Sequence, residues 1–587
     1  MRLYFLSDLS VTQGATVPRK TKRFRFLLPL CCVLTAQSVV AQKSPDAGSL
    51  LREQPKPSSV VSVTASPLAA PALAEPANEA GTRISVKAFS FQGASLISST
   101  ELAKLLQAYI GKELRLPQLE ALAANITAHY AQRGYLARVV LPPQEVKDGA
   151  VTYQIIEGKL GSLNVTPLGK RIDSARVQGL INYRLSKDNA NILGTLGEAM
   201  TLLNEQPGVQ ARATLSPGHR ESEFDVNVNT VAGPLFSADI SSNNSGSKGT
   251  GTAQVQGSLS LNNPSGHFDA ATLTVNANEG SRYFRGDYSA SVNDSGMRLG
   301  INASAMNYNI VEEGVQGLDS HGTAHTVGLR ASFPWARRDE FNLNLIGAYD
   351  QKKLIDKTSA GETGDRKVSV VSIGLEGFML PASGSVLHGG KLDFDVSLNI
   401  GDSMQNNDGA RALDRVTRRV EGAYSKLSYS ARYAYSINDY WSMNTSLRGQ
   451  SANSNLDSTE GFTLGGPNNI RAYAVGEAVG DEGWLFSLSA SRKITDQLAA
   501  SLFYDAGGIT LNHDTWADWN AGNLQLKNRY TLSGVGLGLD WRFGSAVLNA
   551  SIASPLGTNP DLDTNGKNVD GSPQHRTRGW ISLRAQF

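Results

Sequence analysis

The C-terminal part of this chain, from Leu235 to Phe587, alternates strictly between apolar and polar residues, and that pattern limits the fold more than any other feature. Leu392, Phe394, Val396, Leu398 and Ile400 alternate with Lys391, Asp393, Asp395, Ser397 and Asn399. Leu427, Tyr429, Ala431, Tyr433, Tyr435 and Ile437 alternate with Lys426, Ser428, Ser430 and Arg432, and Val535, Leu537, Leu539, Trp541 and Phe543 with Gly536, Gly538, Asp540 and Arg542. Successive side chains of a strand point to opposite faces, so each segment has one apolar, aromatic face and one charged face. Repeated over this length, the pattern inverts a soluble barrel and fits a membrane β-barrel with lipid outside and a wet lumen inside. At roughly 22 residues per strand and connection, about 350 residues make about 16 antiparallel strands. The last segment, Trp580 to Phe587, alternates to a terminal phenylalanine.

Composition removes the competing classes. A net charge of +2 gives no electrostatic case for a nucleic-acid partner. No apolar run beyond the N-terminus approaches the roughly 20 residues of a spanning helix. Both cysteines, Cys31 and Cys32, fall in a segment with the three regions of a secretory signal: basic Lys20 to Arg25, apolar Phe26 to Leu34, and small residues before a cleavage expected after Ala41. Without those residues, disulfides, thiolate metal sites and cysteine nucleophiles drop out. Apart from the lone pair His321 and His325 the eight histidines are scattered, and no Walker-type nucleotide loop is present, so no enzyme activity, metal or cofactor is expected.

Residues 42–81 form a Pro/Ala-rich linker, with Pro45, Pro55, Pro57, Pro67, Pro71 and Pro76. Within it, Asp46 to Gln54 has an aspartate cap and room for a turn or two of helix before Pro55, and a helix that short must dock to persist. From Thr82 to Gly158 the pattern turns mixed α+β. A strand is expected over Ile84 to Phe91. A helix capped at Ser99 or Thr100 carries Leu102, Leu105, Leu106 and Tyr109, and a second opens at Pro117 and carries Leu119, Leu122, Ala123, Ile126 and Tyr130. Gly111 and Gly134 end the two helices, and strands over Tyr135 to Leu141 and Ala150 to Glu157 follow. Lys159 to Val231 repeats the scheme, with Gly194 to Asn204 as its clearest helix, and the barrel occupies residues 232–587.

Two motifs within the barrel stand apart from the alternation. Gly465-Gly466-Pro467 cannot continue a strand ladder, so the chain is expected to leave the wall over about residues 464–484, carrying Ile470, Arg471, Ala472 and Tyr473, and to return near Trp484. In the later strand Leu502, Tyr504 and Ala506 take the outward phase, which turns Phe503, Asp505 and Gly507 inward. An arginine on an infolded loop and an aspartate on the lumen wall would pair in a partly desolvated site, holding the loop's position more than adding stability. Arg337-Arg338 and Arg418-Arg419 read as loop or rim charges, and Trp516 and Trp519 as interfacial anchors or loop packing.

Two successive β-α-α-β-β units in an exported chain resemble POTRA domains, here 82–158 and 159–231, on the strength of Arg133-Gly134-Tyr135-Leu136, Leu141-Pro142-Pro143-Gln144 and Ile156-Glu157-Gly158. Ile470-Arg471-Ala472-Tyr473 and Phe503-Tyr504-Asp505-Ala506-Gly507 resemble the two signature motifs of the two-partner secretion transporters (the TpsB class). These are the hemolysin- and hemagglutinin-exporting branch of the superfamily that includes the BamA-like assembly proteins. Ala472 replaces the commoner glycine of that motif. The resemblance implies a plug helix at 46–54, two periplasmic POTRA domains and an outer-membrane barrel acting as a monomer. Such a protein translocates one dedicated unfolded exoprotein, an adhesin or hemolysin, to the cell surface. It also implies that the barrel assembly machinery reads Phe587 and that outer-membrane lipid surrounds the wall. The alternative is a BamA-like outer-membrane protein assembly factor; a passive porin would need no α+β units in front.

Overall fold

The computed structural model describes residues 45–55 and 83–587, apart from 170, 189, 221, 313–317, 382–384, 386, 388, 522 and 564. The leader and most of the linker lie outside the described residues.

Sixteen antiparallel strands close into a barrel that begins with Phe236–Asn243 and ends with Arg578–Gln586. The alternation sets its two faces: Val396, Leu398 and Ile400 are exposed outside, and Leu354, Val368 and Val370 are buried within. The longest strand, Gly361–Met379, has 19 residues, well beyond the roughly 9–11 a tilted strand needs to cross the hydrocarbon. Connections at one end are tight turns such as 437–440 and 494–497, whereas 406–421, 453–481, 511–528 and 557–577 at the other are long. The last strand pairs with the first from Ser582 opposite Asn243 to Gln586 opposite Asp239, and Phe587 and Ala238 exchange backbone bonds of 2.8 and 3.0 Å. In hydrocarbon each unpaired backbone group costs several kcal/mol, so this pairing removes the last open edge.

Ahead of the wall, helix α1 (Ala47–Glu53) is capped by Asp46, whose carboxylate accepts the Ser49 N–H at 2.8 Å. The first α+β unit packs α2 (Ser99–Leu106) and α3 (Leu116–Gln132) on a sheet whose central strand, Ala150–Glu157, runs parallel to Ala88–Gln92 and antiparallel to Ala137–Val140. Leu102, Leu106, Leu119, Leu122, Ile126 and Tyr130 form the helical side of its core, against Val151, Tyr153 and Ile155. The strand expected over Ile84 to Phe91 is split. Arg83–Ser85 pairs with Glu113–Arg115, the buried Val86 bonds the turn at Gly111 and Lys112, and Lys87 N–H donates to Gly149 at 2.7 Å, which hands the chain to the second sheet.

The second unit repeats this plan with α4 (Ser174–Leu185), α5 (Ile192–Asn204) and a sheet in which Glu223–Ala232 lies between Lys159–Leu168 and Val209–Pro217. The units are joined where Leu193 N–H donates to Gly134 C=O at 2.9 Å. Gly134 has φ +81°, and a Cβ there would lie 1.8 Å from Asn191 Oδ1, so the position needs glycine for close approach as well as for ending a helix. The second unit is in turn seated on the tight-turn end of the barrel. Phe268, from the turn after strand Gln254–Asn262, is buried in the second unit's core. Arg184 of α4 donates to the carbonyls of Ser295 and Pro334 at 3.2 and 2.9 Å. Arg337 is a rim residue but a buried one, paired with Glu205 at 2.7 Å.

Glu157 ties the helices of the first unit to its sheet, accepting the N–H groups of Ser95 and Leu96 at 2.7 Å each and the Tyr130 hydroxyl at 3.1 Å. Burial pushes this carboxyl up, but the bonds from Leu96 and Ser95 outweigh it and hold the group below the usual carboxylate range. Its contribution is therefore present above the unfolded pKa and is lost as pH falls through the lower folded value. Glu157→Gln should cost the unit about 1 kcal/mol at neutral pH, read as roughly fivefold faster hydrogen exchange across Ala150–Glu157 in the intact protein. The difference from wild type should shrink under acid conditions.

Candidate functional site

The wall stops at Ala452 and resumes at Glu482, so the infolded segment is 453–481 and begins well before the glycine pair at which the sequence places its start. The earlier residues do not continue the ladder because they are committed inward: Leu456 is buried and Asp457 accepts from Arg366 at 2.8 Å. A short hairpin, Phe462–Leu464 with Ala478–Gly480, then carries the tip. Gly465 and Gly466 adopt φ +89° and +101°, and a Cβ on Gly465 would lie 2.2 Å from Ala474 O. Gly466 N–H closes the tip on Tyr473 C=O at 3.0 Å.

At that tip Arg471 meets Asp505, a fully buried carboxylate on strand Leu498–Thr510. Arg471 Nε donates to Oδ2 at 2.8 Å, Nη2 to Oδ1 at 2.7 Å and the backbone N–H to Oδ2 at 3.1 Å. Ser487, directly opposite Asp505 on the neighbouring strand, donates to Oδ1 at 2.7 Å and accepts from Nη2 at 3.2 Å. The guanidinium lies 3.2 Å from the centroid of the inward Phe503 ring, so a planar cation has an aromatic face on one side and a bidentate acceptor at its edge. Trp580, from the last strand, donates Nε1–H to Arg471 C=O at 2.7 Å.

Ala472 stands where glycine is commoner, and the wall supplies the space its methyl needs. Its φ is not positive, and it packs on Gly534, where an added Cβ would lie 2.4 Å from Ala472 Cβ. Gly507 plays the same part beneath Leu464 and Ile470, whose side chains would lie 2.6 and 3.2 Å from a Cβ there. Ile470 and Tyr473 are buried with Phe462, Leu464, Phe503 and Leu532 in one cluster, against which Trp519 also packs. Leu502 and Tyr504 are exposed on the outer face of the wall. Phe587 is exposed at the seam, at the end of the strand that carries Trp580. Ser487 and Trp580 are the members the sequence reading misses. The inward phase of Trp580, opposite to exposed Ile581 and Leu583, is the signal that was available for it.

Helix α1 lies inside the same lumen, on inward side chains near the long-loop end. Ala47 and Leu50 pack with Tyr308, Leu354, Val368 and Val370. Arg366 joins three carboxylates at 2.8 Å each: Asp46 of the helix cap, Asp356 of the wall and Asp457 of the infolded segment. Arg52 donates to Ser458 C=O, and Glu460 is held between Lys352 and Lys426 of the wall. Arg418, expected as a loop charge, bonds Asp481 at 3.1 Å where the segment rejoins the wall. Among the described residues no three histidine, cysteine, aspartate or glutamate side chains are grouped to hold a metal ion.

Residues 222–541 match the model of the haemolysin secretion/activation protein family ShlB/FhaC/HecB, and residues 84–158 match the ShlB-type POTRA domain. The chain belongs to this family. Similar proteins are the heme/hemopexin transporter protein HuxB of Haemophilus influenzae strain 86-028NP, 26% identical over 94% of this chain and 96% of that one, and the outer membrane transporter CdiB of Dickeya dadantii strain 3937, 24% identical over 69% and 71%. The solved structure of CdiB from Escherichia coli superposes with a TM-score of 0.62 at 20% identity, covering 92% of this chain and 95% of that one. The protein is thus an outer-membrane transporter of two-partner secretion, with its POTRA units in the periplasm, that moves an exoprotein to the cell surface.

Because Gly534 makes room for Ala472, Gly534→Val should lift the tip while the wall still closes. Overpacking of this kind costs about 1–3 kcal/mol, so amide exchange over 470–474 should rise by about tenfold with the circular dichroism of the barrel unchanged.

Proposed function

We propose that the Arg471 to Asp505 clamp holds the infolded segment in the position in which this transporter passes one dedicated exoprotein, unfolded, through its lumen. The observation that carries this reading is the set of three hydrogen bonds from a single arginine, backbone included, to a buried wall carboxylate at the end of a segment otherwise attached near the surface end. Breaking a buried ion pair costs on the order of 3–5 kcal/mol, because the remaining charge is stranded. The clamp therefore specifies where the tip rests. The POTRA units receive the exoprotein by strand addition at a sheet edge, where main-chain bonds tolerate many sequences and side-chain pockets add selectivity. No nucleotide site is needed in a compartment without ATP; folding of the exoprotein outside supplies the direction.

In this reading the protein works as a monomer, without enzymatic activity, delivered to the membrane by the barrel assembly machinery through the strand that ends at Phe587. A BamA-like assembly role is the less supported alternative, since the match is to the haemolysin secretion family. Cells carrying Arg471→Ala should hold normal amounts of heat-resistant, closed barrel in the outer membrane yet lose one protein from the surface fraction, the same one lost on deletion of the transporter. Undiminished surface display by Arg471→Ala would overturn the assignment of the clamp.

A further inference from the structure

One element of the barrel is explained neither by the wall nor by the lumen: α6 (Asp408–Val416), in the connection between strands Gly390–Gln405 and Gly422–Ser436 at the long-loop end. Its polar side is fully engaged by its own surroundings. Asn407 caps it, accepting Ala410 N–H at 3.0 Å. Arg411 donates to Gln405 C=O at 2.8 Å and pairs with Asp408 and Glu421 at 3.1 and 3.2 Å. Asp414 accepts the N–H groups of Val420 and Glu421 at 3.0 Å each, and its carbonyl accepts that of Arg419 at 2.8 Å. This pins Arg419 at φ +53°, a conformation an arginine rarely adopts. Among the described residues the opposite side has no partner. Gly409, Ala412, Leu413 and Val416 fall at the spacing of one helical face, and Leu413 and Val416 are 63% and 72% exposed. Arg415 and Arg419 beside them are exposed and make no ion pair among the described residues.

The height of this helix relative to the bilayer follows from the strand that leads into it. On its outer face Val396, Leu398 and Ile400 belong to the lipid-facing band, Asp402 marks the edge of the hydrocarbon, and Met404 projects one row beyond it, 48% exposed and directly opposite Lys367. A further two residues along a strand is about 7 Å, the depth of a headgroup layer, and α6 begins just past Met404. Its apolar face lies opposite the side that bonds Gln405 and Glu421, and its spare charges are of the sign that phosphate attracts.

We propose that α6 is an interfacial lipid anchor: its Leu413 and Val416 face lies in the headgroup layer of the outer leaflet, and Arg415 and Arg419 bind phosphorylated, anionic lipid. An amphipathic helix with cations flanking its apolar face settles in that plane, and each cation near an anionic surface adds attraction. The proposal rests on the outer-membrane location of the protein and is independent of the clamp.

The test places a polarity-sensitive fluorophore on Leu413→Cys, in a full chain whose Cys31 and Cys32 are serine. The protein is reconstituted into vesicles of phosphatidylcholine alone and of phosphatidylcholine mixed with phosphatidylglycerol or with lipopolysaccharide. Expected is a blue shift and protection from acrylamide in both anionic vesicle types, several-fold greater than in the neutral one. Each of Arg415→Ser and Arg419→Ser should reduce that gap roughly fivefold. Protection by lipopolysaccharide but not phosphatidylglycerol identifies the lipid and upholds the anchor. Equal accessibility in neutral and anionic vesicles overturns it. So does protection that appears only when exoprotein is added, or only as protein concentration rises at fixed lipid, since the face then serves cargo or a second copy. Leu413, Arg415 and Arg419 are exposed, so the variants leave the barrel intact, and their exoprotein export is measured separately.

Discussion

A charge taken out of water must meet its opposite, and the interior of this transporter is arranged by that constraint. Arg471 with Asp505, Arg366 with Asp46, Asp356 and Asp457, and Glu460 between Lys352 and Lys426 each put one partner on the wall and another on a segment that is not part of it. Such pairs add little net stability compared with apolar contacts of the same shape, because desolvation offsets most of the attraction. Their effect is positional. A helix of seven residues and a hairpin of three-residue strands hold few contacts of their own, and the charges decide where on a broad lumen surface each one rests.

The wall sets the terms of this arrangement. Lipid outside leaves no partner for a backbone group, so the sheet must close, and closure of sixteen strands leaves an interior wider than side chains alone can fill. Among the described residues two stretches of the same chain occupy it: α1 from before the periplasmic units, and 453–481 from within the barrel sequence. Arg366 touches both at once through Asp46 and Asp457. The two occupants therefore share one anchoring side chain, and displacing either alters the electrostatic environment of the other.

Much of this is legible in the sequence, and the limits have identifiable causes. The wall can be read because a period of two with a lipid-facing apolar phase is a local property, repeated strand after strand. The positions of Arg471 and Asp505 can be read because one follows a glycine pair that cannot stay in a ladder and the other sits in the polar phase of an alternating strand. Alternation puts Trp580 in the inward phase, but inter-strand register and barrel closure decide that it and Ser487 are what face Arg471 and Asp505. Arg337 looks like a rim charge because its partner Glu205 is 132 residues away in a different unit. The strand over Ile84 to Phe91 carries no glycine or proline to break it, and only the backbone demands of Gly111, Lys112 and Gly149 show that it must divide.

The two joints ahead of the wall bear on how force travels. Gly134 against Asn191 and Leu193 admits no side chain between the first unit and the second, and Arg184, Phe268 and the Arg337 to Glu205 pair leave the second unit no slack on the rim. The periplasmic arm is accordingly braced on the turn at Ser295 and the bulge at Pro334. A polypeptide drawn against its far end exerts a torque on the strands beginning at Arg298 and ending at Arg338, and those strands, Arg298–Asn309 and His321–Arg338, carry Tyr308 and Ala324 beneath α1. Load on the arm thus reaches the floor on which the lumen helix sits through continuous, hydrogen-bonded sheet.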